Sequence, residues 1–424
     1  MTMQNFIKNN LWLAGACLLN LAACLLFLFR FSDPFFVDIH EYLELAANLV
    51  NGNGYSSGGF FHFQTFPSAF LQPVYAYLLA FFIKMSGLPF AYLHIRLLQI
   101  AFSLLLCLTI YLIGLEVFNK KAALCAAYIY ALYVPFIYQT TFVWDTLLFS
   151  LQLAVIVWLA LRFDNRSAFP AVLLGLLLGL TVLTNSVVVA VVPFLLGYIL
   201  FANRHELPSV GRRLLVTLFC LAVVVAPWSA RNSLVFKAFV PVRTGFWLNL
   251  YLGNNEDATG TVFLKDGRSV PLKYKTGIQR HFGPMARAIT ALNEFEQDRY
   301  FKTKFFAFVF SRPRDFFRLL PVKLFYYLWF NPFEQPFRLR ESQYLAVVLL
   351  ALGGFWAAVK EKKRVGLFAL VAAPFIITYT LVGPFFNWKY RMPIEPYFIV
   401  LAGYCVSRWL IPLKHPPAAV EKEA

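Results

Sequence analysis

The stretch FFVDIHEYLELAANLVNGNGY, residues 35 to 55, carries Asp38, Glu41 and Glu44 with one histidine and no lysine or arginine. From Asp38 to Val50 the apolar spacing is helical and stops at Asn51 and Gly52, so Asp38, Glu41, Tyr42 and Leu45 share a face. Two readings stay open for Asp38. With Glu41 three residues on it forms a capping-box pattern, and it is equally a carboxylate fixed at a helix start where it can take a proton from a partner. Asp145 is the second acid, set in TFVWDTLLFSLQLAVIVWLA at the start of an apolar helix; it is either an N-cap or a functional ionisable group at membrane depth. Two carboxylates brought together there can serve as base and as orienting group or metal ligand. The basic candidates are Arg231 in PWSARNSLVFKAFVPV and Lys389 and Arg391 in NWKYRMPIEPYF. Each alone reads as a side chain snorkelling from a helix end, whereas together they suit a phosphate, whose oxygens match arginine's planar fork. His40, His62 and His281 show no ligand spacing, and the metal, if one is used, is unknown.

The elements that must position these residues are membrane helices. Of 424 residues, 60% are hydrophobic, 18% aromatic and only 14% charged, which leaves more apolar surface than one soluble core can bury. The six cysteines lie inside apolar runs with no CxxC pair, so neither a metal knuckle nor a disulfide framework is indicated. Spanning segments are expected at 11–31, 94–117, 122–138, 145–162, 169–184, 187–202, 214–230, 342–359, 366–384 and 393–411. The stretches 70–86 and 316–331 are broken by Pro73 and Lys84 and by Arg318, Pro321 and Lys323, which suits helices lying in the membrane plane.

Charge sets the sidedness. Lys120/Lys121, Arg162/Arg166, Arg204/Arg212/Arg213 and Lys360/Lys362/Lys363/Arg364 all fall on the cytoplasmic side if the ten segments cross, the two broken stretches do not, and the N-terminus is inside. Twelve crossings would put at least one of these clusters outside. Asp38, Asp145, the Thr184–Ser186 turn and residues 385–392 then share the extracytoplasmic side with segment 231–341. That segment carries Arg231, Lys237, Arg243, Lys273, Lys275 and Arg280, an unusual positive load for an outer loop. The expected organisation is an N-terminal membrane module (1–230), an extracytoplasmic segment with interfacial helices (231–341), C-terminal membrane helices (342–412) and a disordered tail (413–424).

The series DIHEYLELAANLVNGNGY, FLQPVYAYLLAFFIKMSGL, GLLLGLTVLTNS, PWSARN...FVPV...GFWLNLYLGNN and YRMPIEPYFIVLAGY resembles bacterial members of the GT-C glycosyltransferase superfamily. The branch concerned includes protein O-mannosyltransferases and the lipid A aminoarabinose transferase. The resemblance implies an all-α integral-membrane enzyme with about ten transmembrane helices and extracytoplasmic membrane-parallel helices. It implies a polyprenyl-phosphate-linked sugar donor, an acceptor that is a lipid, a polysaccharide or a protein, and a site on the outer face of a bacterial plasma (inner) membrane. Asp38 matches the family's catalytic base and Asp145 its second acid, with Glu41 beside them. Arg231 and Arg391 match arginines near the phosphate, with Lys389 adjoining. Gln72 stands where the aminoarabinose branch has a lysine, and Tyr42 and Tyr75 fall within the matched motifs as substrate contacts. The family's acids in the first outer loop are often adjacent; here Asp38 and Glu41 are separated.

Such a donor carries its own leaving group, so one carboxylate to deprotonate an acceptor hydroxyl and a few cations to neutralise the departing phosphate suffice for an inverting single displacement. A divalent ion is an optional addition, nucleic acid has no place, and neither GxGxxG nor a P-loop occurs. A flippase for a lipid-linked saccharide would need polar residues through mid-bilayer and repeat symmetry, and neither is visible. A ligase or polymerase of lipid-linked oligosaccharides remains a related alternative.

Overall fold

The computed structural model describes residues 3–36, 41–58, 65–164, 167–261, 265, 289, 292–329, 338–383 and 388–409. Asp38, His40, His62, His281 and Arg166 lie outside the described residues, as does the tail from 410. The chain is helical almost throughout: α1 (Met3–Phe31), α2 (Glu41–Val50), α3 (Pro73–Ser86), α4 (Phe90–Val117), α5 (Lys120–Ala131), α6 (Val134–Gln139), α7 (Thr146–Leu161) and α8 (Phe169–Val182) are followed by α9 (Val192–Ala202) and α10 (Leu207–Phe236). Then come α11 (Phe246–Gly253), α12 (Glu294–Ser311), α13 (Pro313–Leu328), α14 (Arg338–Lys360), α15 (Gly366–Val382) and α16 (Glu395–Trp409). Among the described residues the only sheet is a two-residue pairing of Ser56–Ser57 with Phe66–Pro67.

Among the described residues each expected spanning segment is mostly helical, and the two broken stretches form α3 and α13. By length and composition, four helices among the described residues can cross a bilayer: Leu11–Phe31, Phe90–Val117, Arg204–Phe236 and Leu339–Lys360. The apolar helices Pro73–Ser86, Thr146–Leu161, Phe169–Val182, Val192–Ala202 and Gly366–Val382 are shorter. The expected span 122–138 is not one helix. Pro135 lacks an N–H and starts α6, so the chain breaks at Leu132 and Tyr133. Likewise 187–202 opens as a 3-10 turn, Ser186–Ala190, before Pro193 in the first turn of α9.

The lipid-facing surface is plain on α1, where Trp12, Leu18 and Leu26 are each more than 60% exposed. Inside, small residues set the closest approach. Gly175 and Gly179, four apart on α8, leave no room for a Cβ against Thr217 and Val224 of α10, and the Thr217 hydroxyl donates to the Ala171 carbonyl at 3.0 Å. The two ends of α7 have opposite chemistry. At its C-terminus Arg162 lies 3.8 Å from Glu116, which also takes Arg364 at 3.0 Å. At its N-terminus stands Asp145, about 24 Å away at 1.5 Å per residue. The bundle thus separates a basic end from the end that carries the candidate site.

Candidate active site

Asp145 does not cap its own helix. Its backbone is helical (φ −67°, ψ −15°) and its side chain makes no capping bond to α7. The carboxylate is 2% exposed and accepts from the Asn185 amide at 3.0 Å, with the Tyr42 hydroxyl as a second donor. The N-cap reading of this acid therefore gives way to a buried carboxylate held by polar groups from two other parts of the chain. Asn185 is delivered by the turn after α8, where its own side-chain oxygen accepts from the Val187 N–H at 3.2 Å. Tyr42 arrives on α2, packed edge-on against both Tyr75 and Trp144 at 5.2 Å. The Tyr75 hydroxyl is buried with no hydrogen-bond partner among the described residues, a polar group that costs free energy until something binds it.

Lys389 reaches the same place from the far end of the sequence. Its ammonium sits 3.7 Å from the centre of the Trp144 ring, and its charge bears on Asp145. Arg391, two residues on, is buried. Its Nε donates to Glu395 at 2.8 Å, one Nη donates to the Trp329 carbonyl, and the guanidinium stacks 3.3 Å from the Tyr344 ring centre. Glu395 takes a further bond from the Tyr133 hydroxyl at 3.0 Å.

Arg231 is likewise engaged by protein acceptors. It donates to the Ser68 carbonyl at 2.6 Å, the Tyr55 carbonyl at 2.8 Å and Asn232 Oδ1 at 3.0 Å, and lies over the Tyr55 and Trp228 rings. Those bonds fasten the loop before α3 to α10. The same loop is gripped from the other side by Glu294, which accepts from the Ser68 hydroxyl, the Ala69 N–H and the Thr244 hydroxyl at 2.6 to 2.8 Å. Burial raises the Glu294 carboxyl above its usual range, and these donors oppose the shift. Gln72 stands at the start of α3, where its side-chain amide donates to Ser186 at 2.8 Å and its main-chain carbonyl accepts from the Tyr55 hydroxyl at 3.1 Å. Glu41, half-buried, opens α2 one residue before Tyr42.

Arg243 is the cation that spacing alone did not single out. Its Nε donates to the Thr244 carbonyl at 3.0 Å and its plane lies 5.2 Å from the Phe70 ring centre. The Arg243 charge acts on the same Tyr42 hydroxyl that donates to Asp145. The turn behind Arg243 requires Gly245, at φ 77° and with the Phe70 ring where a Cβ would stand. Beyond it α11 starts, with Asp298 accepting from the Trp247 and Leu248 N–H groups at 2.8 and 3.2 Å. Burial raises the Asp298 carboxyl, and those two N–H groups draw it back. Asp298→Ala is expected to lower stability by about 1 kcal/mol, the usual worth of a lost helix-start acceptor, measured as the thermal midpoint of the solubilised protein.

Tertiary structure thus gathers Tyr42, Tyr75, Gln72, Asp145 and Lys389 at one end of the bundle, with Arg391 and Arg231 holding backbone around them. Asp38 precedes α2 and lies outside the described residues. Sequence reasoning did not pick out Asn185, Trp144, Arg243 or Glu294. The positive load of segment 231–341 was the available signal for Arg243; the others show none in their spacing. Among the described residues no three His, Cys, Asp or Glu side chains gather as a metal site.

Residues 68–229, less than half of the chain, match the family model described as dolichyl-phosphate-mannose-protein mannosyltransferase. The apo oligosaccharyltransferase of Archaeoglobus fulgidus shares the fold at TM-score 0.58 and 16% identity, over 95% of this chain and 51% of that one. The same archaeal enzyme, AglB, bound to an inhibitory peptide and a dolichol-phosphate, matches at TM-score 0.58 and 15% identity, over 96% and 51%. This chain therefore spans about half the length of those enzymes. ArnT from Cupriavidus metallidurans, bound to undecaprenyl phosphate, is a looser likeness, at TM-score 0.43 and 15% identity over 96% and 79%. A comparison with curated proteins finds no match. The chain is an all-α, multi-pass membrane protein that shares its fold with this archaeal oligosaccharyltransferase, and its residues 68–229 are similar to the mannosyltransferase family.

Proposed function

We propose that the chain transfers a sugar from a polyprenyl-phosphate donor to an acceptor hydroxyl at the extracytoplasmic face of a bacterial plasma membrane. Asp38 takes the acceptor's proton as the acceptor oxygen bonds to the anomeric carbon. The bond from that carbon to the phosphate oxygen breaks, its electron pair leaves with the polyprenyl phosphate, and the anomeric configuration inverts. Arg243 and Lys389 face the phosphate and stabilise the charge that grows on it. Arg391 and Arg231 fix the surrounding backbone, with Asp145, Tyr42 and Asn185 orienting the reactants. Tyr75 and Gln72 line the space for the sugar.

The observation that carries this reading is the meeting of Asp145 and Lys389, far apart in sequence, at the Tyr42 and Trp144 rings, with Arg243 on the neighbouring turn against Phe70. A dolichol-phosphate in the archaeal enzyme of shared fold adds support for the donor class. The test is transfer in proteoliposomes from a panel of polyprenyl-phosphate sugars. At least one should be consumed, with release of polyprenyl phosphate; a panel left intact with every acceptor class rejects the reading. Arg243→Ala is expected to reduce kcat/KM for that donor by about 10- to 100-fold, the worth of a hydrogen bond to a charged group, with Arg243→Lys intermediate.

A further inference from the structure

The helix α13 has one face committed to the protein. Phe316, Leu319, Lys323 and Tyr327 are buried, and the Lys323 ammonium donates to Asn254 Oδ1 at 2.7 Å and to the Leu381 carbonyl at 3.2 Å. Leu381 lies in the last turn of α15, and the Tyr344 hydroxyl near the start of α14 bonds to the Leu328 carbonyl at 2.6 Å. So α13 is tied to the ends of two apolar helices.

Its other face is open. Phe317 is 65% exposed and Phe325 56%, and Phe310 at the end of α12, just before the turn, is 79% exposed. Arg314 and Arg318, one turn apart on either side of Phe317, are exposed and make no ion pair among the described residues. Arg312 is different: it lies 3.8 Å from Asp315, the one acid on the helix. Exposed aromatics flanked by two exposed guanidinium groups are ill suited to water and well suited to an interface where rings enter hydrocarbon and cations meet phosphates.

We infer that the outward face of α13 is a docking surface for anionic phospholipid headgroups, with Arg314 and Arg318 on the phosphates and Phe317 below them in the acyl region. Charge complementarity selects this occupant: two exposed arginines that make no ion pair among the described residues, set on an apolar face, favour an anionic leaflet over a zwitterionic one. The inference is independent of the reaction proposed above.

The test places a bimane at Phe317→Cys in the full chain with its six native cysteines replaced, in nanodiscs of phosphatidylcholine and phosphatidylglycerol. Quenching by brominated phosphatidylglycerol is then compared with quenching by brominated phosphatidylcholine. Both should quench, with phosphatidylglycerol favoured by roughly fivefold for each arginine and the preference lost in R314Q/R318Q. No quenching by either lipid, as when water or a protein partner covers the face, overturns the inference. So does equal quenching in the parent chain, or a preference that survives in the double variant.

Discussion

Asp38→Asn is expected to lower sugar transfer by about 100- to 10,000-fold, the usual contribution of a positioned general base. The substitution is chosen because Asn caps a helix about as well as Asp, so the start of α2 and the placement of Tyr42 behind it should survive. The two readings that the sequence left open for this residue then separate cleanly. If Asp38 only caps, Asn preserves both the thermal midpoint and the turnover number. If it takes the acceptor's proton, the midpoint holds and kcat collapses, because an amide has no basic lone pair at neutral pH. Full transfer by the Asn variant sinks the base assignment. Donor binding supplies an internal control: it depends on the cations rather than on Asp38, so the KM for the polyprenyl-phosphate sugar should change much less than kcat.

The second large effect is on stability. Arg391→Ala should destabilise the protein by about 3 to 5 kcal/mol, because it strands the Glu395 carboxylate in a site that is 1% exposed. Burying an unpaired charge is costlier than never having had the pair, so Arg391→Ala with Glu395→Gln should recover much of the loss. The thermal midpoint and the half-life at fixed temperature of the detergent-solubilised variants measure both. The double variant also decides whether Arg391 touches the donor. With stability recovered and transfer still near the wild-type rate, Arg391 is a structural cation beside the site. A restored fold with transfer still low gives it a place on the phosphate, alongside Arg243 and Lys389.

Helices were legible because a run of apolar residues about 20 long has only one way to satisfy its backbone in lipid. The same rule reads less well where proline intervenes. Pro135 divides what looks like one span into α5 and α6, and Pro193 leaves a 3-10 turn ahead of α9, because a missing N–H matters locally whatever the average hydropathy. Asp145 stands out as a charge in an apolar run, but its spacing leaves cap and functional acid equally open, because the donors that hold it, Asn185 and Tyr42, come from distant segments. Arg231 and Arg391 were visible as cations at helix ends, but their engagement by the Ser68, Tyr55 and Trp329 carbonyls was not. Main-chain acceptors exist at every residue, so no side-chain pattern announces which of them a guanidinium will find.

By itself the sequence determined the environment: a chain this apolar must be solvated by lipid, and its few ionisable residues must gather near the membrane surfaces or against one another. It also named the acids and most of the cations. Only the tertiary structure decided which of these charges share a space. Asp145 meets Lys389 across 244 positions of chain, and Arg243 joins them through a glycine turn, while Arg391 is drawn aside into a pair with Glu395. The reason is physical. Periodicity reports which face of a helix avoids water, but the partner of a buried charge is set by how helices pack, and that depends on small local features, such as Gly175 and Gly179 on α8, that carry no charge at all.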